Sequence, residues 1–291
     1  MSLLLAVNMA TVVLESLLYG LFLVSASTTL YLRFSRHNAP KNCSWPVWTR
    51  NPVVVFTVAI FAACSAHWIL TVIRFFDAFL GPVDAHRFYL NESKGTQIAK
   101  RVLTVISVLI GDAAIIHRLW LIWDQSFLVI VIPGLSWLGI LAGGCAITYL
   151  YSWPSATHMV AAANWVKANW VLTLGTNVYC TGLVIWNIRN RNRAVKELGE
   201  GILVPVLMIL LESATAWTIW ALFFAVTSDI GSPLQFIATD LSPTIVGLAN
   251  MAIYLRVELE CTRPDPTGLP MTTSASIFAL TTPRPSTSNS K

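Results

Sequence analysis

Hydrophobic residues in this chain fall into long unbroken runs rather than into the alternating or one-sided patterns of a soluble domain. Seven runs are long enough to span a bilayer as helices of about 20 residues. They cover about Met9 to Leu32, Pro52 to Phe76, Ile98 to Trp123, Phe127 to Leu150, Trp165 to Ile188, Ile202 to Val226 and Leu234 to Val257. Only Asp124, Gln125 and Ser126 separate the third run from the fourth, so those two helices are expected to be antiparallel neighbours. The fourth is uncharged, with a kink expected at Pro133-Gly134 and two small residues, Gly139 and Gly143, at the spacing of close helix packing. The stretch from Tyr151 to Asn164, with Trp153-Pro154, reads as a loop. The start of the fifth run is the boundary the pattern fixes least, because Lys167 stands beside it.

Composition supports a membrane reading. The 291 residues are 55% hydrophobic and 11% charged, against about 25% charged in soluble domains. A net charge of +5 does not point to nucleic acid, because the basic residues cluster between the apolar runs, where they set orientation. With the N-terminus outside, 13 of the 19 Lys and Arg residues fall on the cytoplasmic side, as the positive-inside rule requires. The expectation is therefore an all-α bundle of seven transmembrane helices over residues 1–257, N-terminus outside and C-terminus cytoplasmic. A Ser/Thr/Pro-rich disordered tail follows at residues 258–291. No charged segment precedes the first run, so it reads as a span rather than a cleaved signal. The sequon at Asn91 would face outside and be open to glycosylation, whereas that at Asn42 would not. Five cysteines, three of them within apolar runs, imply no disulfide framework. Cys261, just past the last run, is a candidate for palmitoylation.

Four carboxylates stand inside apolar runs: Glu15, Asp112, Glu212 and Asp240. An acid at the centre of a spanning helix costs about 2.5–3.5 kcal/mol, so each must face protein, water or a partner. Counted at about 1.5 Å per residue, Glu15 and Asp240 lie roughly 10 Å from the outer ends of their helices, and His67 roughly 13 Å. An outer polar cluster of Glu15, His67 and Asp240 is expected, with a second of Asp112, Asn177 and Glu212 nearer the middle. Either could be a structural network holding the helices in register, or a site for a ligand, ion or proton.

In the seventh run Asp240, Pro243, Gly247, Asn250 and Tyr254 fall within about an 80° arc. This is a packing seam or a faint echo of a receptor switch, with Met251 where receptors carry proline. Arg118 reads as an anchor snorkelling to the headgroups. Arg189, Arg191 and Arg193 read as an orientation signal and lipid contact, or as a docking surface for a cytoplasmic partner. Several identities are excluded. No lysine lies in the last run to bind retinal, the deep histidines are too few for a zinc site, and no cofactor-binding motif is present.

Four motifs together carry a resemblance. They are Glu15-Ser-Leu-Leu-Tyr-Gly20, Gly111-Asp-Ala-Ala-Ile-Ile-His-Arg-Leu-Trp-Leu-Ile-Trp123, Thr176-Asn-Val-Tyr-Cys-Thr-Gly182 and Gln235-Phe-Ile-Ala-Thr-Asp-Leu-Ser-Pro-Thr-Ile-Val-Gly247. With them the chain resembles a large family of seven-helix membrane proteins expanded in mushroom-forming fungi. The resemblance implies the topology and a fungal source. It implies no activity and no site roles, because the family has none established.

Three functional classes remain open. A receptor or sensor would bind a small amphipathic molecule in the outer half through Glu15, His67 and Asp240. An intramembrane enzyme would use Asp112 or Glu212 as a protonated acid on a hydrophobic substrate. A transporter would need a continuous polar path through the bundle. The partners expected are the lipid bilayer, a small molecule and a cytoplasmic protein.

Overall fold

A computed structural model describes residues 3–35, 47–81, 85–90, 94–153, 155–195 and 203–260. Eight helices and no strands occur among them: α1 (Leu3–Ser35), α2 (Val47–Leu80), α3 (Ala85–Leu90), α4 (Gly95–Ile122), α5 (Phe127–Ser152), α6 (Ala156–Val195), α7 (Leu203–Asp229) and α8 (Leu234–Glu260). Five are long and apolar enough to cross a membrane, with qualifying stretches at Leu5–Leu32, Val54–Leu80, Gly95–Ile122, Phe127–Ser152 and Leu234–Arg256. The protein is a multi-pass membrane protein in contact with the lipid bilayer, all-helical among the described residues. Asn42, Asn91 and Cys261 lie outside the described residues, as do the side chains of Glu212, Arg191 and Arg193.

Polar side chains are buried beside apolar ones, while many large apolar side chains stand exposed. On α1 the buried positions include Thr11, Glu15, Phe22, Ala26 and Thr29, which recur every three to seven residues along one stripe. The opposite face leaves Val13, Leu17, Leu21 and Val24 exposed. Across the bundle, His67, Thr71, Ser107, Asp112, Thr173, Asn177, Ser242, Thr244 and Asn250 are buried, while Val58, Leu135, Val171 and Leu222 are exposed. Such a surface is stable in hydrocarbon, where polar groups turn inward to find partners.

Neighbouring helices follow the order α1, α2, α4, α5, α6, α7, α8 and back to α1, and α4 and α8 also touch each other across the middle. Their approach is close at Gly111, where an added Cβ would stand 2.3 Å from Val246 Cγ1. Gly143 packs against Asn169 on α6, where a Cβ would meet Oδ1 at 2.1 Å, and Gly139 lies near Leu172 of the same helix. The small-residue pair of α5 thus faces α6. A left-handed turn joins α4 to α5, with Asp124 at φ 53° and Gln125 at φ 61°. Its shortness holds the two helices side by side.

Several helices run past their expected ends, α6 the furthest. Helix α6 begins at Ala156 rather than near Trp165. The segment Ala156-Thr-His-Met-Val-Ala-Ala-Ala-Asn164 lacks the apolar density of a span but contains good helix formers, so the helix runs beyond the hydrophobic stretch. At its other end α6 continues to Val195, so the arginine run at 189–193 is helical rather than loop. The short α3 was not signalled by periodicity, because six residues are less than two turns.

Candidate functional site

Helix α3 roofs a polar chamber at the end of the bundle where α4 and α8 begin. On α1 and α2, Glu15 Oε1 and His67 Nδ1 lie 2.7 Å apart, both fully buried. One turn along α2, Thr71 Oγ1 donates to the His67 carbonyl at 3.1 Å. Arg74 follows, donating from Nη1 to Thr96 Oγ1 at 2.9 Å. Across the chamber Lys100 Nζ of α4 meets Asp240 Oδ2 of α8 at 2.9 Å.

A cavity of about 40 Å³ lies among Thr71, Arg74, Lys100 and Asp240, with Asn8, Thr11, Gln97 and Tyr89 also on its wall; Glu15 and His67 do not line it. Phe88 on α3 packs against two cations, Arg74 at 5.2 Å and Lys94 at 3.7 Å from the ring centroid, and such contacts are attractive. The neighbouring Tyr89 is half-buried. Burial pushes its phenol above the ordinary range, while Arg74 opposes that shift.

Glu15, His67 and Asp240 were expected as one cluster. The structure pairs the first two directly and gives Asp240 a direct partner in Lys100, with His67 still within electrostatic reach of Asp240. That lysine stands at the start of a span, where a headgroup contact would be the usual reading, yet it is 5% exposed. Arg74, likewise near a helix end, is 4% exposed. Both residues were missed because a basic residue beside an apolar run has the same pattern whether it turns outward or inward.

Near the middle of the bundle, Asp112 accepts a short hydrogen bond from Thr173 Oγ1 and a longer one, 3.4 Å, from Asn177 Nδ2. The third and fifth runs therefore meet through Asp112 and Asn177, as their depths suggested. Thr173 had no signal beyond lying one turn before Asn177. It also lines a second cavity of about 70 Å³ among α4, α5, α6, α7 and α8, walled by Val105, Val108, Ile140, Trp170 and Trp217. Trp170 stacks on Trp217 at 5.8 Å and on Phe224 at 4.3 Å. The Trp217 indole N–H is buried without a partner among the described residues.

At the opposite end of α4, Arg118 turns into the bundle rather than out to the headgroups. Its Nη2 donates to Asn250 Oδ1 at 2.8 Å, and its guanidinium carbon lies 4.4 Å from the Tyr254 ring centroid. Asn250 Nδ2 in turn donates to the Val246 carbonyl at 2.9 Å. Snorkelling fails here because Asn250 and Tyr254 present an acceptor and a π-face at the depth Arg118 reaches. Arg189 is exposed. Beside the Arg118 contact, Phe22, Ile60, Cys64, Met251 and Tyr254 belong to one apolar cluster of α1, α2 and α8.

Among the described residues no three of His, Cys, Asp and Glu converge closely enough to hold a metal ion. Cys64, Cys145 and Cys180 are free thiols. No protein-family model, curated protein or solved structure matches the chain.

Proposed function

We propose that this protein is a seven-span receptor or sensor that binds a small amphipathic molecule in the chamber under α3. In this reading α6 and α7 also cross the bilayer, and the N-terminus and the chamber face outside. The distribution of basic residues supports that orientation. Glycosylation at Asn91, and protease cleavage of the tail only after the membrane is opened, are the expected marks of it.

One observation carries the functional reading. The two helices that share the Lys100–Asp240 pair in the chamber are clasped again at their other end by Arg118 and Asn250. A molecule that disturbs the first contact acts on the same two rods that make the second. Arg189, Arg191 and Arg193, at the end of α6, would then face a cytoplasmic partner.

The enzyme reading retains one supporting feature, the Asp112 carboxyl behind Thr173 on the wall of the apolar cavity. Both hydrogen bonds to Asp112 come from donors built into α6, which suits a structural network better than an acid waiting for substrate.

Hydrogen exchange on the full chain in nanodiscs tests the sensor reading. An amphiphile bound in the chamber should change exchange in α4 and α8 peptides containing Arg118 and Asn250, as well as near Lys100. Changes confined to the chamber end would remove the sensor role and leave only a binding protein.

A further inference from the structure

We infer that the chamber under α3 takes a carboxylate head group, held by the guanidinium of Arg74. The inference rests on the reading of that chamber as a site for an amphipathic molecule, and it names the part of the molecule that is recognised.

Arg74 is buried, and a buried cation is costly unless it is paired. Its partners are a neutral hydroxyl, Thr96, and the face of Phe88. Among the described residues the ion pairs are Glu15–His67, Lys100–Asp240 and Lys167–Asp229, so no carboxylate stands within pairing distance of Arg74. Asp240 and Asp77 attract it only from farther away. The rest of the wall includes two further donors, the amide of Gln97 and the phenol of Tyr89, while the Thr11 hydroxyl already donates to the Val7 carbonyl at 2.9 Å. An amine entering this space would meet Arg74 and Lys100, whereas a carboxylate can take two parallel bonds from a guanidinium.

Size narrows the choice among anions. The chamber is small, about 40 Å³, which favours a planar three-atom carboxylate over a tetrahedral five-atom phosphate or sulfate. Val12 and Phe236 supply an apolar part of the wall for the first carbons of a chain. A carboxylate beside Lys100 also competes with Asp240 for that ammonium, which couples occupancy to the contact between α4 and α8.

Equilibrium dialysis of the full chain in phosphatidylcholine nanodiscs tests this, with radiolabelled hexanoate, hexylamine and hexanol each measured against empty nanodiscs. Hexanoate should bind saturably, and neither hexylamine nor hexanol should displace it at equal concentration. Arg74→Gln should weaken hexanoate by about ten- to a hundredfold. Arg74→Lys should fall between, keeping the charge and losing the fork. Val12→Trp should fill the chamber and abolish binding, with helical content by circular dichroism unchanged.

Saturable binding of hexylamine or hexanol in place of hexanoate, sensitive to Val12→Trp, would overturn the carboxylate assignment and leave the chamber reading intact. Binding of none of the three would sink both. Hexanoate binding that ignores Arg74→Gln and Val12→Trp would also overturn the assignment. If Arg74→Gln does not fold, the Lys and Val12 variants decide the matter.

Discussion

Replacing Arg118 and Asn250 singly and together measures whether the arginine grips α8 or reaches for lipid. The contact is a charged donor to an amide oxygen at 2.8 Å, with the guanidinium 4.4 Å from the Tyr254 ring. Hydrogen bonds to charged groups are worth about 1.5–3 kcal/mol, and a partly desolvated cation–π contact about 0.5–2 kcal/mol. Neutral polar contacts between membrane helices average only about 0.6 kcal/mol, because the separated helices find other partners. Weighing these, the coupling energy between Arg118→Gln and Asn250→Ala should be about 1–2 kcal/mol. Reversible unfolding in mixed detergent micelles, followed by tryptophan fluorescence, gives the four free energies. Arg118 Nε and Nη1 are buried without partners among the described residues, so the guanidinium depends on Asn250 and the Tyr254 ring. A coupling below about 0.3 kcal/mol lies within ordinary additivity. That result would return Arg118 to the headgroups and undo the clasp.

Three further outcomes follow from the geometry. Glu15→Leu strands a fully buried imidazole and should cost about 3–5 kcal/mol, whereas Glu15→Leu with His67→Leu should recover most of that loss; unfolding midpoints of the two variants make the comparison. Gly111→Ala places a methyl against Val246 and should cost about 1–3 kcal/mol, partly restored by Val246→Ala in the same chain. A melt in which the double variant is no better than Gly111→Ala alone would show that the two helices separate easily at that level. Asp112→Asn keeps an acceptor for Thr173 and should be mild, but Asp112→Leu leaves the buried Thr173 hydroxyl without its partner at about 1–3 kcal/mol, while Asn177 keeps its bond to the Thr173 carbonyl. Equal losses from the two substitutions would instead point to a requirement for the charge itself.

Apolar run length locates helices well when nothing else competes with it. The runs beginning near Met9, Pro52, Ile98, Phe127 and Leu234 correspond to α1, α2, α4, α5 and α8. It locates their ends poorly, because a helix does not stop where the hydrocarbon does; Ala156 to Asn164 and Arg189 to Val195 are helical beyond any apolar signal. Depth along a helix is readable, and it brought Glu15 to His67 and Asp112 to Asn177. Azimuth is less readable, because small changes in helix rotation choose between neighbours. Asp240 therefore takes its direct ion pair from Lys100 across the α4–α8 contact, with His67 acting on it only from farther away. The long basic side chains were the hardest of all. Lys100, Arg74 and Arg118 each reach several ångströms from their own turn, so position in the chain does not reveal where the charge ends up.

The close approach at Gly111 makes α4 a lever with its fulcrum off centre. Lys100 stands about 16 Å from that crossing and Arg118 about 10 Å from it, at 1.5 Å per residue. If α4 tilts as a stiff rod there, a shift of about 1 Å at the lysine swings the arginine about 0.6 Å the opposite way. Displacement shrinks across the pivot while force grows in the same ratio. Such gearing suits a weak push beneath α3 that must loosen a tight grip at the far end.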